Sequence, residues 1–93
     1  MEVKHVAGKN RGNVILYALS TCGWCRKTKE LLNSIGVEYS YVDVDTLAPD
    51  VKAEVKNEIR KWNPACSFPT IIVNNKTCIR GYNPEQIKEV LEK

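Results

Sequence analysis

Residues 14–19, Val-Ile-Leu-Tyr-Ala-Leu, form an uninterrupted apolar run of six. A run this short, with β-branched and aromatic members, predicts a strand buried on both faces, as inside a parallel sheet. It stops at Ser20-Thr21, residue types that begin helices by accepting an otherwise unpaired amide. Beyond them Trp24, Thr28, Leu31, Leu32 and Ile35 recur at helical spacing, and Gly36 supplies the left-handed stop. A second strand is expected over residues 37–44, where Tyr39 and Tyr41 alternate with polar neighbours. Strand, helix and strand within roughly thirty residues make a βαβ unit, whose strands run parallel.

The same rules continue along the chain. Over residues 49–62, Val51, Val55, Ile59 and Trp62 line one helical face, Lys52, Glu54, Lys56, Glu58 and Lys61 occupy the others, and Pro64 bars continuation. Residues 70–73 and 77–80 flank Asn74-Asn75-Lys76, the composition of a hairpin turn. Asn83 as cap and Pro84 in the first turn open a last helix, with Ile87, Val90 and Leu91 as its buried stripe. The predicted fold is α/β, in the order β-α-β-α-β-β-α: a four-stranded mixed sheet with helices on both faces, spanning residues 14–93. Residues 1–13 form a tail or an extra strand. The strand is favoured, with residues 2–7 folded back on 14–18 through the glycines at 8 and 12.

A chain of 93 residues supports one core. Its 43% hydrophobic and 27% charged content is that of an ordered domain. The net charge of +3 is spread without a dense basic run, so no nucleic-acid partner is expected. Nothing approaches the ~18 apolar residues of a membrane helix, and residues 1–13 lack the apolar core of a signal peptide. A cytoplasmic protein without membrane association is therefore expected. In that reducing setting its four cysteines point to catalysis or metal binding before structural disulfides.

Cys22 and Cys25 stand where the first strand hands over to the first helix. Cys-x-x-Cys beside a βαβ unit reads as a redox motif. The helix N-terminus offers Cys22 unpaired amides and the positive end of the helix dipole, and Cys25 lies one turn further on. Cysteines so placed titrate at roughly 3.5–7.5 instead of about 8.5. Arg26, Lys27 and Lys29 add positive charge nearby. Cys22 is the expected nucleophile and Cys25 the resolving thiol, which closes an internal disulfide to release product. Two buried structural cysteines, or a zinc site, are the competing readings. Zinc would want a second close pair, and Cys66, Cys78 and His5 do not supply one.

Other residues carry weaker signals. Trp24 is expected as a partly exposed docking surface or packed on the loop before Pro69. Tyr17 and Tyr82 are expected to line the groove, and Trp62 to lie in the core. Cys66 reads as a small loop residue near the site. Cys78 reads as core, pairing near Ile71 or Val73 and well away from Cys66.

Three motifs in order, Cys22-Gly23-Trp24-Cys25, Ser67-Phe68-Pro69-Thr70 and Gly81-Tyr82-Asn83-Pro84, resemble those of the glutaredoxins, thioredoxin-fold thiol–disulfide oxidoreductases. The resemblance covers residues 14–93. It implies a cis Pro69 facing Cys22, with the Phe68 backbone free to pair with an incoming thiol or peptide. Gly23, Trp24, Phe68, Pro69, Gly81 and Tyr82 would then form the substrate-binding surface. No cofactor beyond the redox-active cysteine pair is implied, and a monomer is expected. The substrates would be disulfides of proteins or small thiols, in electron transport and cell redox homeostasis.

The departures bear on the reductant. Glutathione-using relatives typically carry a lysine where this chain has Leu19, and a Gly-Gly and acidic cluster where it has Arg80-Gly81-Tyr82-Asn83-Pro84. The latter stretch is similar to that of glutaredoxin-like redoxins, which take electrons from thioredoxin reductase and can feed ribonucleotide reductase. A thioredoxin reductase-like enzyme or a glutathione-like thiol is the expected electron source. Arg60 and Lys61 offer alternative charge for a carboxylate. Gly23 also occurs in relatives that bridge a [2Fe–2S] cluster, so a cluster carrier is the alternative function.

Overall fold

The apolar run becomes the central strand of a five-stranded sheet in a computed structural model that describes residues 3–92. The elements are β1 (Lys4–Val6), β2 (Val14–Ala18), α1 (Gly23–Ile35), β3 (Tyr39–Asp43), a 3₁₀ turn (Val44–Thr46), α2 (Pro49–Trp62), β4 (Thr70–Val73), β5 (Thr77–Arg80) and α3 (Pro84–Leu91). The strand order is β1-β3-β2-β4-β5. β2 pairs parallel with β3 and antiparallel with β4, and the hairpin partner β5 closes the far edge.

The sheet has five strands rather than the four of the basic pattern. The favoured N-terminal strand exists, but it pairs antiparallel with β3, Lys4 opposite Tyr41 and Val6 opposite Tyr39, and not with residues 14–18. Both edges of β2 are already taken by β3 and β4, so the free edge of β3 is where its hydrogen bonds can be satisfied. Glu2, the first residue of that expected strand, lies outside the described residues. The chain enters along the end of α1: the Lys9 amide donates to the Gly36 carbonyl at 2.8 Å, and the Glu38 amide to the Lys9 carbonyl at 2.8 Å. A Cβ at Gly8 would sit 2.7 Å from the Gly36 carbonyl oxygen, so only glycine permits that approach.

Side chains alternate across β2 and divide the core in two. Val14, Leu16 and Ala18 face α1 and α3 and pack with Cys25, Leu32, Ile71, Ile79, Ile87 and Leu91. Tyr17 faces α2 and packs with Val42, Val44, Val55, Ile59 and Ile72. Helices thus cover both faces, which a strand apolar on both sides requires. Gly36 ends α1 at φ 81°, and its amide reaches back to the Leu32 and Asn33 carbonyls. No described helix is long and apolar enough to cross a membrane.

Candidate active site

β2 ends at Ala18, and a tight turn follows in which the Cys22 amide donates to the Leu19 carbonyl at 3.2 Å. The residue that caps α1 is Cys22 and not Ser20 or Thr21: its Sγ accepts the Cys25 amide at 3.2 Å. Ser20 is engaged elsewhere. Its amide donates to Asp45 Oδ1 at 2.8 Å and its hydroxyl to Asp45 Oδ2 at 2.5 Å. Those two bonds hold the Asp45 carboxyl below the usual carboxylate range. With Ser20 tied to the 3₁₀ turn, the first amides of the helix are left to the cysteine.

The two sulfurs lie in different surroundings. Cys22 is half-buried, whereas Cys25 is 0% exposed among the side chains between the sheet and α1. Burial, then the hydrogen bond with Cys22, push the Cys25 thiol up to about 12; the Leu19 backbone and the charge of Lys29 pull the other way. All four cysteines are free thiols. The Cys22 side of the helix is open: a Cβ added at Gly23 would meet nothing within 4 Å. Ser20, Thr21, Cys22, Gly23 and Arg26 line a surface cavity of about 210 Å³.

The three motifs converge on this helix end. Trp24, 57% exposed, stacks on Tyr82 with ring centroids 5.6 Å apart, and the Lys27 ammonium lies 4.9 Å from the Trp24 centroid. Trp24 therefore meets the turn before α3. Gly81, at φ 73°, donates its amide to the Pro69 carbonyl at 2.8 Å, joining that turn to the proline loop. The Phe68–Pro69 peptide bond is cis. Phe68 packs against both halves of the core, one of which Cys22 also borders. Among the described residues, the Phe68 amide and carbonyl hold no hydrogen bond.

Sequence reasoning missed what holds the proline loop. Asn63, 2% exposed at the end of α2, donates its Nδ2 to Ser67 Oγ at 2.9 Å and Thr70 Oγ1 at 3.1 Å. The Thr70 hydroxyl donates to the Ser67 carbonyl at 2.7 Å, and the Asn63 carbonyl accepts the Cys66 amide at 2.8 Å. A polar cluster built on buried Asn63 and Thr70, each of them partnered, fixes one loop path. The only signal in the sequence was an asparagine, Asn63, between the end of a helix and Pro64.

Other expectations are corrected. Tyr17 does not line this groove: it points to the α2 side, beside a cavity of about 270 Å³ with Val51, Glu54, Val55 and Glu58. Burial first, then Glu58, raise its hydroxyl above the ordinary tyrosine value. Cys78 lies opposite Ile72, between Ile71 and Val73. That register turns it to the α2 side, where it is half-buried rather than core and borders the same half of the core as Cys66. Trp62 is likewise half-buried at that border. Cys66 itself sits at φ 50°, its thiol directed at the Lys56 carbonyl 3.9 Å away. Arg60 donates to Asn57 at 3.0 Å and Lys61 pairs with Glu58 at 3.0 Å, both along the exposed face of α2.

Comparison with known proteins agrees with this arrangement. The family model for glutaredoxins matches residues 14–78. A glutaredoxin-like 8.6 kDa protein of the rubredoxin operon of Clostridium pasteurianum is 33% identical over 78 residues, covering 84% of this chain and 96% of that one. The crystal structure of a glutaredoxin from Methanosarcina mazei Go1 superposes with a TM-score of 0.92 at 45% identity, covering 100% of this chain and 90% of its own. That of methanoredoxin from Methanosarcina acetivorans gives 0.89 at 43% identity, covering 92% and 90%. The family model spans most of the chain and the Clostridium pasteurianum relative is 33% identical over nearly its whole length, so this chain belongs to the glutaredoxin family.

Proposed function

We propose that the protein is a dithiol thiol–disulfide oxidoreductase, an electron carrier that reduces disulfides of proteins or small thiols. The observation that carries this reading is the asymmetry of the cysteine pair: a half-buried cysteine at the helix cap that lines a surface cavity, and one turn inside it a wholly buried thiol pushed up to about 12. The Cys22 thiolate attacks one sulfur of the substrate disulfide. The substrate S–S bond breaks, a Cys22–substrate bond forms, and the first half leaves and takes up a proton. Cys25 then gives up its proton and attacks Cys22 Sγ, releasing the second half as a thiol. Two electrons have passed to the substrate, and the Cys22–Cys25 pair is left as a disulfide for re-reduction by a reductase or a small thiol.

Gly23, Trp24, Tyr82 and Gly81 would form one wall of the substrate site. Phe68, next to Pro69, would offer its unbonded amide and carbonyl to an extended thiol-bearing chain. The reading places the protein in the cytoplasm and asks for no resident cofactor. A [2Fe–2S] cluster takes four ligands, and beside the buried Cys25 this site presents one half-buried cysteine, Cys22, so the carrier function would draw on a second copy and on added thiols.

Cys25→Ser tests the mechanism. With a protein disulfide as substrate, the expected outcome is a covalent Cys22–substrate adduct that persists on a non-reducing gel, with turnover down by at least about 100-fold. Unimpaired turnover of protein disulfides by this variant would contradict the dithiol route.

A further inference from the structure

The resolving step asks a buried thiol to become a thiolate without contact with bulk water. Cys25 is 0% exposed, and Leu16, Ala18, Ile87 and Leu91 around it are apolar. A bare thiolate there is costly. One cation is built into that side of the protein. Lys29 lies four residues along α1, on the same helical face as Cys25, where side chains are neighbours. Its side chain is 23% exposed and is held at two points on β3: the ammonium is 3.0 Å from Asp43 Oδ1 and 4.2 Å from the Tyr41 ring centroid. Asp43, 13% exposed, sits opposite Ala18 in the β2–β3 ladder, where the central strand ends below the cysteine turn. An exposed lysine would wander among rotamers, but this one is fixed in place.

We propose that Lys29, anchored by Asp43 and Tyr41, is the positioning residue for the resolving step, its ammonium stabilising the thiolate that Cys25 becomes as it attacks the sulfur on Cys22. The inference rests on the dithiol mechanism proposed above. In the balanced step, the Cys25 S–H and the Cys22–S–S–R bond are replaced by the Cys22–Cys25 disulfide and R–SH, the proton lost by Cys25 ending on the departing thiol. Lys29 keeps its own protons throughout. The burial of the thiol and the charge of Lys29 act on Cys25 in opposite directions, so the lysine offsets part of the cost of the apolar wall. The titratable and charged groups facing this pair are Cys22 at the helix cap, Tyr41 and Asp43 from β3, and Lys4 from β1, whose ammonium lies 5.9 Å from the Tyr41 ring centroid.

The test separates the two steps. The Cys22 mixed disulfide with 2-nitro-5-thiobenzoate is formed at about pH 4, where thiolates are scarce, and the pH is then raised in a stopped-flow cell while release of the chromophore is followed. In Lys29→Met, which keeps the stem and removes the charge, formation of the adduct is expected at the normal rate. Release should be about tenfold slower at neutral pH, and its pH profile displaced upward by about one unit. Lys29→Arg should restore both. Should Lys29→Met fail to fold with Asp43 unpaired, the Lys29→Met/Asp43→Asn double variant removes both charges, and the same slow release is expected from it. Equal release rates and profiles in wild type and variant would overturn the role of Lys29 while leaving the dithiol mechanism standing, as would slowing of both steps alike. Failure of the wild type to form the adduct, or to release the chromophore from it, would overturn the mechanism and this inference together.

Discussion

Cys22→Ser is expected to lower the rate of disulfide reduction by about three orders of magnitude or more, because a hydroxyl at that position has no usable anionic form at neutral pH. The fold should be unaffected. Serine caps helices well, so the amide of Cys25 that now meets Cys22 Sγ at 3.2 Å would meet an oxygen instead. Cys25 cannot substitute, since it is buried and pushed up to about 12. Cys66 and Cys78 border the other half of the core, on the α2 side. The check is turnover of a small disulfide coupled to a reductase, beside a urea melt of the same sample. Substantial activity in a folded Cys22→Ser protein would remove Cys22 from the role of nucleophile.

The largest stability effect is expected from Ile71→Ala. Ile71 is 0% exposed in the middle of β4, opposite Leu16 on β2 and Ile79 on β5. All three belong to the core beneath α1 and α3. Deleting a fully buried isoleucine side chain down to the β-carbon costs about 2–5 kcal/mol, as lost transfer free energy plus an unfilled cavity. Against a total of about 5–15 kcal/mol for a domain, that is a large share, and the urea midpoint should fall with the slope unchanged. A loss under about 1 kcal/mol would mean that β4 is not packed between β2, β5 and the helices as described.

How much of this was readable in advance follows from how local each determinant is. α2, β4, β5 and α3 fall where the sequence places them, because each is bounded by its own punctuation: Pro49, the Asn74-Asn75-Lys76 turn, and the Asn83 cap, whose Oδ1 accepts the Gln86 amide at 3.2 Å. The cysteine pair was equally legible, since a strand, a helix and a two-residue gap fix it. What escaped depended on competition in space. The N-terminal strand had a plausible partner in residues 14–18, and only the occupation of both edges of β2 sends it to β3. Ser20 and Thr21 are good caps, but Asp45, from a turn 25 residues away in sequence, takes Ser20. Asn63, Lys29 and Asp43 belong to no motif. Their roles appear only when a loop, a helix face and a strand end are brought together.

The residues whose partners the sequence hides share a character. Each is polar and bonded across elements: exposed Ser20 to Asp45, half-buried Lys29 to Asp43, and buried Asn63 to Ser67 and Thr70. Apolar patterning builds the sheet and its covering helices, whereas these bonds set where the cysteine turn and the proline loop stop. A shift of one residue in either would move a reactive sulfur or the open backbone of Phe68 to another face. That explains why a redox site can be spotted from two cysteines while its supporting contacts remain hidden in the sequence.

The most direct test of the central claim is to oxidise the fully reduced protein with one equivalent of a small disulfide and map the cysteines by digestion and mass spectrometry. The account predicts a single intramolecular Cys22–Cys25 bond, with Cys66 and Cys78 recovered as free thiols. A bond that includes Cys66 or Cys78, or a product in which Cys22 keeps the small thiol and no internal disulfide closes, would contradict it.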